Sequence, residues 1–234
     1  WATFFNELGF NVKVSPRSNR KLYLKGQHTI PSDTVCYPAK LMHGHVEALI
    51  KDGVDAVFYP GMTYNFDEKL GDNHFNCPVV AYYPQVIRSN VKAIENVKFI
   101  CDFIGLHDKK QFEVHIAPIL EKYFGEIPNK NIRKASDKAY KAYRKFFADI
   151  RSKACEYLTI AEKEDLPVIV LAGRPYHIDP EIGHGIDKLA TQLGFVVVSE
   201  DSIYHLAEPA KVNVLNQWTY HSRLYRAAKY AANH

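Results

Sequence analysis

The chain has only four cysteines among 234 residues, and no two of them form a CxxC pair. Cys36, Cys77, Cys101 and Cys155 lie far apart. That excludes the dense disulfide framework of a small secreted domain and favours a reducing, cytoplasmic compartment. No apolar run approaches the roughly 18 residues that a membrane-spanning helix needs, and no signal peptide is visible. The glycine patterns of phosphate-cradling loops, GxxxxGKS/T and GxGxxG, are absent. Charge of one sign is also scarce: 30 Lys and Arg against 26 Asp and Glu give a net +4. Without a clustered patch, that excess is too mild to argue for nucleic acid.

What is abundant is apolar and aromatic. Hydrophobic residues make up 47% of the chain, with 15 Tyr and 13 Phe. This suits large aromatic-lined cores in a chain long enough for one large domain or two small ones. The chain opens at Trp1 inside a helical pattern and ends inside another, which reads as a segment of a longer polypeptide.

Periodicity alternates helix and strand. Residues 2–10 read as a short helix ending at Gly9, and 11–15 alternate like a strand. Residues 38–52 place Met42, Val46, Leu49 and Ile50 on one helical face, with Pro38 in the first turn and Gly53 at the stop. Residues 54–60 read as a strand and 61–77 as a polar loop long enough to suspect function. Residues 78–83 read as a buried strand, with Pro84 opening the next helix, and 98–104 as another strand holding Cys101. The middle is helical over 109–124 and 130–164. Residues 166–172 read as a strand covered on both faces, 180–193 as a helix, 195–198 as a strand and 214–232 as a last helix. This predicts an α/β protein with parallel sheets in two Rossmann-like βαβ units. The divisions fall at 1–108, a helical connector over 109–164, and 165–234.

In open α/β sheets, sites gather at the carboxyl ends of strands. Cys36 precedes a helix N-terminus, where the positive end of the macrodipole favours the thiolate needed for attack or metal binding. A metal ligand, a nucleophile and a small buried hydrophobe at a helix start all remain open. Cys77 sits at another element boundary and could converge with Cys36. Cys101 reads as core, and Cys155 as core or surface. His43 and His45 are two residues apart, so on a helix they point in nearly opposite directions and cannot share one ion. Arg174 and His177 lie where a strand end enters a turn, and could hold an anion at a following helix N-terminus. A shape-holding turn, with Arg174 tied to a carboxylate such as Asp179, explains them equally well.

Five segments carry a family resemblance: WATFFNELGF (1–10), SDTVCYPAKLMHGHV (32–46), NCPVVAYYPQVI (76–87), GRPYHIDPEIGHGI (173–186) and NQWTYHSRLY (216–225). They resemble the acyl-CoA dehydratase activase-related proteins, relatives of 2-hydroxyacyl-CoA dehydratase subunits and double-cubane cluster proteins. The resemblance implies an iron–sulfur protein of anaerobic metabolism, with a 4Fe–4S or double-cubane cluster and Cys36 and Cys77 at the matching ligand positions. It also implies an electron received from an ATP-driven, ASKHA-type activator ATPase, and low-potential reduction or dehydration of a CoA thioester. Arg174 and His177 are then candidate cofactor-binding residues. A non-catalytic docking module for the activator ATPase is the alternative. Neither nucleic acid nor membrane is an expected partner.

Overall fold

The computed structural model describes all 234 residues. The chain packs as two units, Trp1–Phe66 with Phe75–Ala142, and Asp67–His74 with Tyr143–His234.

In the first unit, α1 (Ala2–Glu7) stops before Gly9, which takes the left-handed φ of 90° that glycine tolerates. Helix α2 (Arg20–Gly26) starts at Asn19, whose side chain accepts from Leu22 N at 2.9 Å. Helix α3 (Tyr37–Lys51) leads into β1 (Ala56–Phe58), and α4 (Pro78–Asn90) crosses over to β2 (Lys98–Ile100). The two strands are parallel and pair Val57 with Phe99. Helix α5 (Lys109–Phe124) is capped by Asp108, and α6 (Asn129–Glu164) runs on into the second unit's residues.

Strand alternation splits the core into two layers. Val57 and Phe99 pack with Ala39 and Val46 of α3 and with Tyr83 and Ile87 of α4. Phe58 faces the other way, against Phe5 at 4.7 Å and Trp1 at 4.8 Å, in a cluster with Phe4, Phe112, Ile116 and Ile132. The strand pair is thus covered by α3 and α4 on one face and by α1, α5 and α6 on the other.

Three expected elements differ here. Residues 11–15 form no strand. Their spatial neighbour is α3, which offers side chains rather than a ladder: Lys13 pairs with Asp52 just past its end at 2.9 Å, and Ser15 bonds His45 at 2.9 Å. Residues 78–83 are the first turns of α4, not a strand. Their Val–Val and Tyr–Tyr pairs favour extended structure. However, Ala81, Pro84 and Ile87 are buried at helical spacing, and packing overrides the propensity. Pro84 therefore sits inside the helix instead of opening one.

In the second unit, β3 (Val168–Leu171) pairs in parallel with β4 (Val196–Ser199). Val168 is 40% exposed and the rest of β3 half-buried, so this strand is not covered on both faces. Helix α7 (Ile186–Gln192) begins six residues later than expected, because His184 and Gly185 take positive φ angles. The short α8 (Glu200–Ile203) follows β4 directly, and α9 (Thr219–Asn233) closes the chain.

Candidate functional site

Cys36 and Cys77 hold equivalent positions. Cys36 is the N-cap of α3, with φ −61° and ψ 149°, and Cys77 is the N-cap of α4, with φ −54° and ψ 140°. Each is followed by proline in the first helical turn, where the missing N–H costs nothing. The two carbonyls accept from Ala39 N and Ala81 N, both at 3.1 Å, while neither sulfur is used as a cap. Cys36 is exposed and Cys77 half-buried. The expectation that Cys77 starts a strand is thus corrected.

Both helix starts lie at the carboxyl end of the β1–β2 pair. Tyr59 directly follows β1, and burial first, then the negative charges of Tyr83 and Cys36, raise its pKa. At the same end, Gly61 lies so close to α4 that a β-carbon there would sit 2.6 Å from the Ala81 carbonyl oxygen. Gln85 Nε2 also donates to the Cys101 carbonyl, just past β2, at 2.8 Å. Sequence reasoning placed Cys36 ahead of a helix N-terminus, as found, and missed Tyr83.

Behind Tyr83 runs a buried polar chain. His43 is fully buried; its Nδ1 lies 2.7 Å from Thr29 Oγ1 and its Nε2 3.0 Å from the Tyr83 hydroxyl. Thr29 spends its own proton on the Gly26 carbonyl at 2.8 Å. Thr29 can therefore only accept from His43, so Nδ1 carries the hydrogen. Burial, then the charge of His28, lower the His43 pKa to about 4, which keeps the ring neutral and Nε2 bare. Tyr83 must donate to that nitrogen. This direction leaves the Tyr83 oxygen's lone pairs as acceptors, and the charge of Cys36, after burial, raises the Tyr83 pKa.

His45 turns to the other side, between Ser15 and Ser18 hydroxyls at 2.9 and 3.1 Å. The two histidines therefore do not share a ligand, as their spacing implies. Cys101 is 4% exposed in the α3–α4 core, and Cys155 is exposed on α6. No group of three or more His, Cys, Asp or Glu is placed to hold a metal ion.

In the second unit, Arg174 and His177 share the turn after β3. The His177 ring is seated over Gly173, where a β-carbon would meet Nδ1 at 1.7 Å. Arg174 leads into a single 3₁₀ turn, Pro175–Ile178, and Asp179 accepts from Glu181 N at 2.9 Å to close the next turn. The helix N-terminus expected beside Arg174 is therefore not formed by residues 180–185.

Sequence reasoning also missed an ionic core in this unit. Arg223, 2% exposed, donates to both Glu68 oxygens at 2.7 Å. The rings of Phe147, Tyr204 and Tyr220 surround its guanidinium at 5.3–5.4 Å. Burial works to lower the Arg223 pKa, but the bonds and charge of Glu68 raise it on balance. Glu200, at the end of β4, is 2% exposed, and burial followed by the charge of Asp201 pushes its pKa up to about 7.

Together these features define a mixed helix–strand protein with two thiols at helix starts over one parallel strand pair. Residues 1–203 match the family described as the CoA enzyme activase uncharacterised domain (DUF2229), and the chain belongs to that family. This agrees with the resemblance to acyl-CoA dehydratase activase-related proteins carried by the five segments. Comparisons with curated proteins and with solved structures returned no match. No helix is long and apolar enough to cross a membrane.

Proposed function

We infer that this chain is part of an iron–sulfur component related to 2-hydroxyacyl-CoA dehydratases, acting in the cytoplasm. In this reading Cys36 and Cys77 supply two thiolate ligands to a 4Fe–4S or double-cubane cluster. Two thiolates do not close such a site, because 4Fe–4S clusters take four cysteines, and no third metal-binding side chain joins them here. The remaining ligands would come from another segment or chain. Bound there, the cluster would supply low-potential electrons for reduction or dehydration of a CoA thioester, after reduction by an ASKHA-type activator ATPase. Each βαβ unit would then serve as an abbreviated Rossmann-like support, with Arg174 and His177 of the second unit as cofactor-binding residues.

The observation that carries this reading is the matched placement of Cys36 and Cys77. Both are N-caps, their sulfurs make no capping bond, and both sit at the carboxyl end of one strand pair. The positive ends of α3 and α4 suit an anionic cluster. The acceptor face of Tyr83 suits a hydrogen-bonded group beside Cys36. Anaerobic reconstitution of a longer chain that includes these residues tests it. Iron bound by the native protein should fall by half or more in Cys36→Ser and Cys77→Ser. Unchanged iron in the double variant sinks the reading.

A second reading, compatible with the family description, is a non-catalytic module that docks the activator ATPase. That module would retain the ATPase in a pull-down after Cys36→Ala and Cys77→Ala together. Loss of the ATPase from this variant would count against it.

A further inference from the structure

The start of α9 carries polar atoms that the cysteine reading does not use. Thr219, the first residue of α9, is 4% exposed, and its Oγ1 has no hydrogen-bond partner. Two residues on, the buried Nδ1 of His221 has none either. An α-helix leaves its first-turn N–H groups without intrahelical partners, and at α9 the Trp218 side chain makes no capping bond to them. With 15 residues, α9 is long enough to present a positive macrodipole end there. Arg174 completes the set. Burial, and then the Arg174 charge, lower the pKa of His221, so that cation acts on the ring electrostatically.

These groups share one chemistry. A threonine hydroxyl, an imidazole nitrogen, a guanidinium and helix N–H groups all offer hydrogens, and two of the four kinds bring positive charge or can gain it. A buried hydroxyl without a partner is costly to the fold, a cost that an accepting ligand removes. A tetrahedral oxyanion has enough acceptor oxygens to meet all of these donors, whereas a planar carboxylate has two.

We propose that the N-terminus of α9, with Thr219, His221 and Arg174, binds a phosphate group. The Thr219 hydroxyl and the first-turn N–H groups donate to its oxygens, and Arg174 and His221 flank it. The expectation of an anion near Arg174 thus keeps its arginine but moves to a different helix. The site lies within the second unit and does not depend on the cysteine reading.

Titration of the whole chain with inorganic phosphate and with phenyl phosphate, read by the His221 ring resonances and by phosphorus NMR, tests the proposal. Saturable shifts of the His221 ring are expected, with affinity at least about tenfold weaker in Thr219→Val and in Arg174→Gln, a loss of about 1.4 kcal/mol. Tighter binding of phenyl phosphate assigns the end of a phosphomonoester, and tighter binding of inorganic phosphate assigns the free ion; either result upholds the site. No saturable binding of either ligand overturns it, and so does equal affinity in Arg174→Gln. If Thr219→Val fails to fold in a thermal melt, Arg174→Gln, in a half-buried turn, carries the test.

Discussion

His43 shows how much chemistry one buried side chain can settle. Its two nitrogens face Thr29 and Tyr83, and every proton in that chain has one place to go. The unfolded imidazole titrates near 6.5 and the folded one near 4. Between those values the unfolded chain takes up the proton first, so stability falls as pH drops from about 6.5 to about 4. The loss is at most about 3.5 kcal/mol, at about 1.4 kcal/mol per pKa unit. Thermal melts across that window should show a shallower acid slope in His43→Gln, which has nothing to protonate there. Tyr83→Phe should cost about 1–3 kcal/mol in urea unfolding, since it strands His43 Nε2 without a donor. The thiols sort by access: iodoacetamide should label Cys36 and Cys155 first, then Cys77, and Cys101 only on unfolding, as peptide mass spectrometry would show. The sequence placed His43 and His45 on opposed faces. It did not reveal Tyr83, forty residues away and joined to His43 only by folding.

At the scale of elements, the crossing of α2 over α3 depends on two glycines. A β-carbon on Gly44 would lie 2.0 Å from the Leu22 carbonyl oxygen, and one on Gly26 would lie 2.2 Å from Gly44 N. Alanine in a helix normally gains about 1 kcal/mol over glycine. Here backbone overlap outweighs that gain, and Gly44→Ala should lower stability by about 1–3 kcal/mol in chemical denaturation. Because His43 is the adjacent residue, the same variant should also loosen its ring, visible as altered exchange of the Nδ1 proton. Long amphipathic helices such as α5 and α6 were legible to within a residue or two, because their periodicity repeats over many turns. Residues 78–83 were not, since six residues of mixed β-branched and aromatic character fit a strand as well as a helix. Burial of Ala81, Pro84 and Ile87 decides for α4.

Across the whole molecule, the second unit is built partly from residues 67–74, distant in sequence from the rest of it. Glu68 pairs with Arg223, and Asp72 with the Asn216 backbone at 2.8 Å. A buried pair is weak evidence of net stabilisation, but removing one partner strands a charge and costs about 3–5 kcal/mol. Glu68→Gln should therefore destabilise this unit by about that amount. Hydrogen exchange should then show lost protection over β3, β4 and α9, with α3 and α4 less affected. The double variant Glu68→Leu/Arg223→Met should recover much of the loss, because no charge is left buried.

Chain-local order was already present in the amino-acid pattern: the alternation of helices and strands, the proline in the first turn of α3, and the thiol ahead of α3. These features rest on neighbours a few residues apart, whose effect repeats at a fixed period. The family was also legible, because its segments are contiguous strings. The partnerships waited for the folded chain. Cys77 joins Cys36 as an N-cap only once α4 packs as a helix, Tyr83 meets His43 across two helices, and Glu68 reaches Arg223 across 155 positions. Each depends on burial, and burial is set by the parts of the chain that folding places alongside.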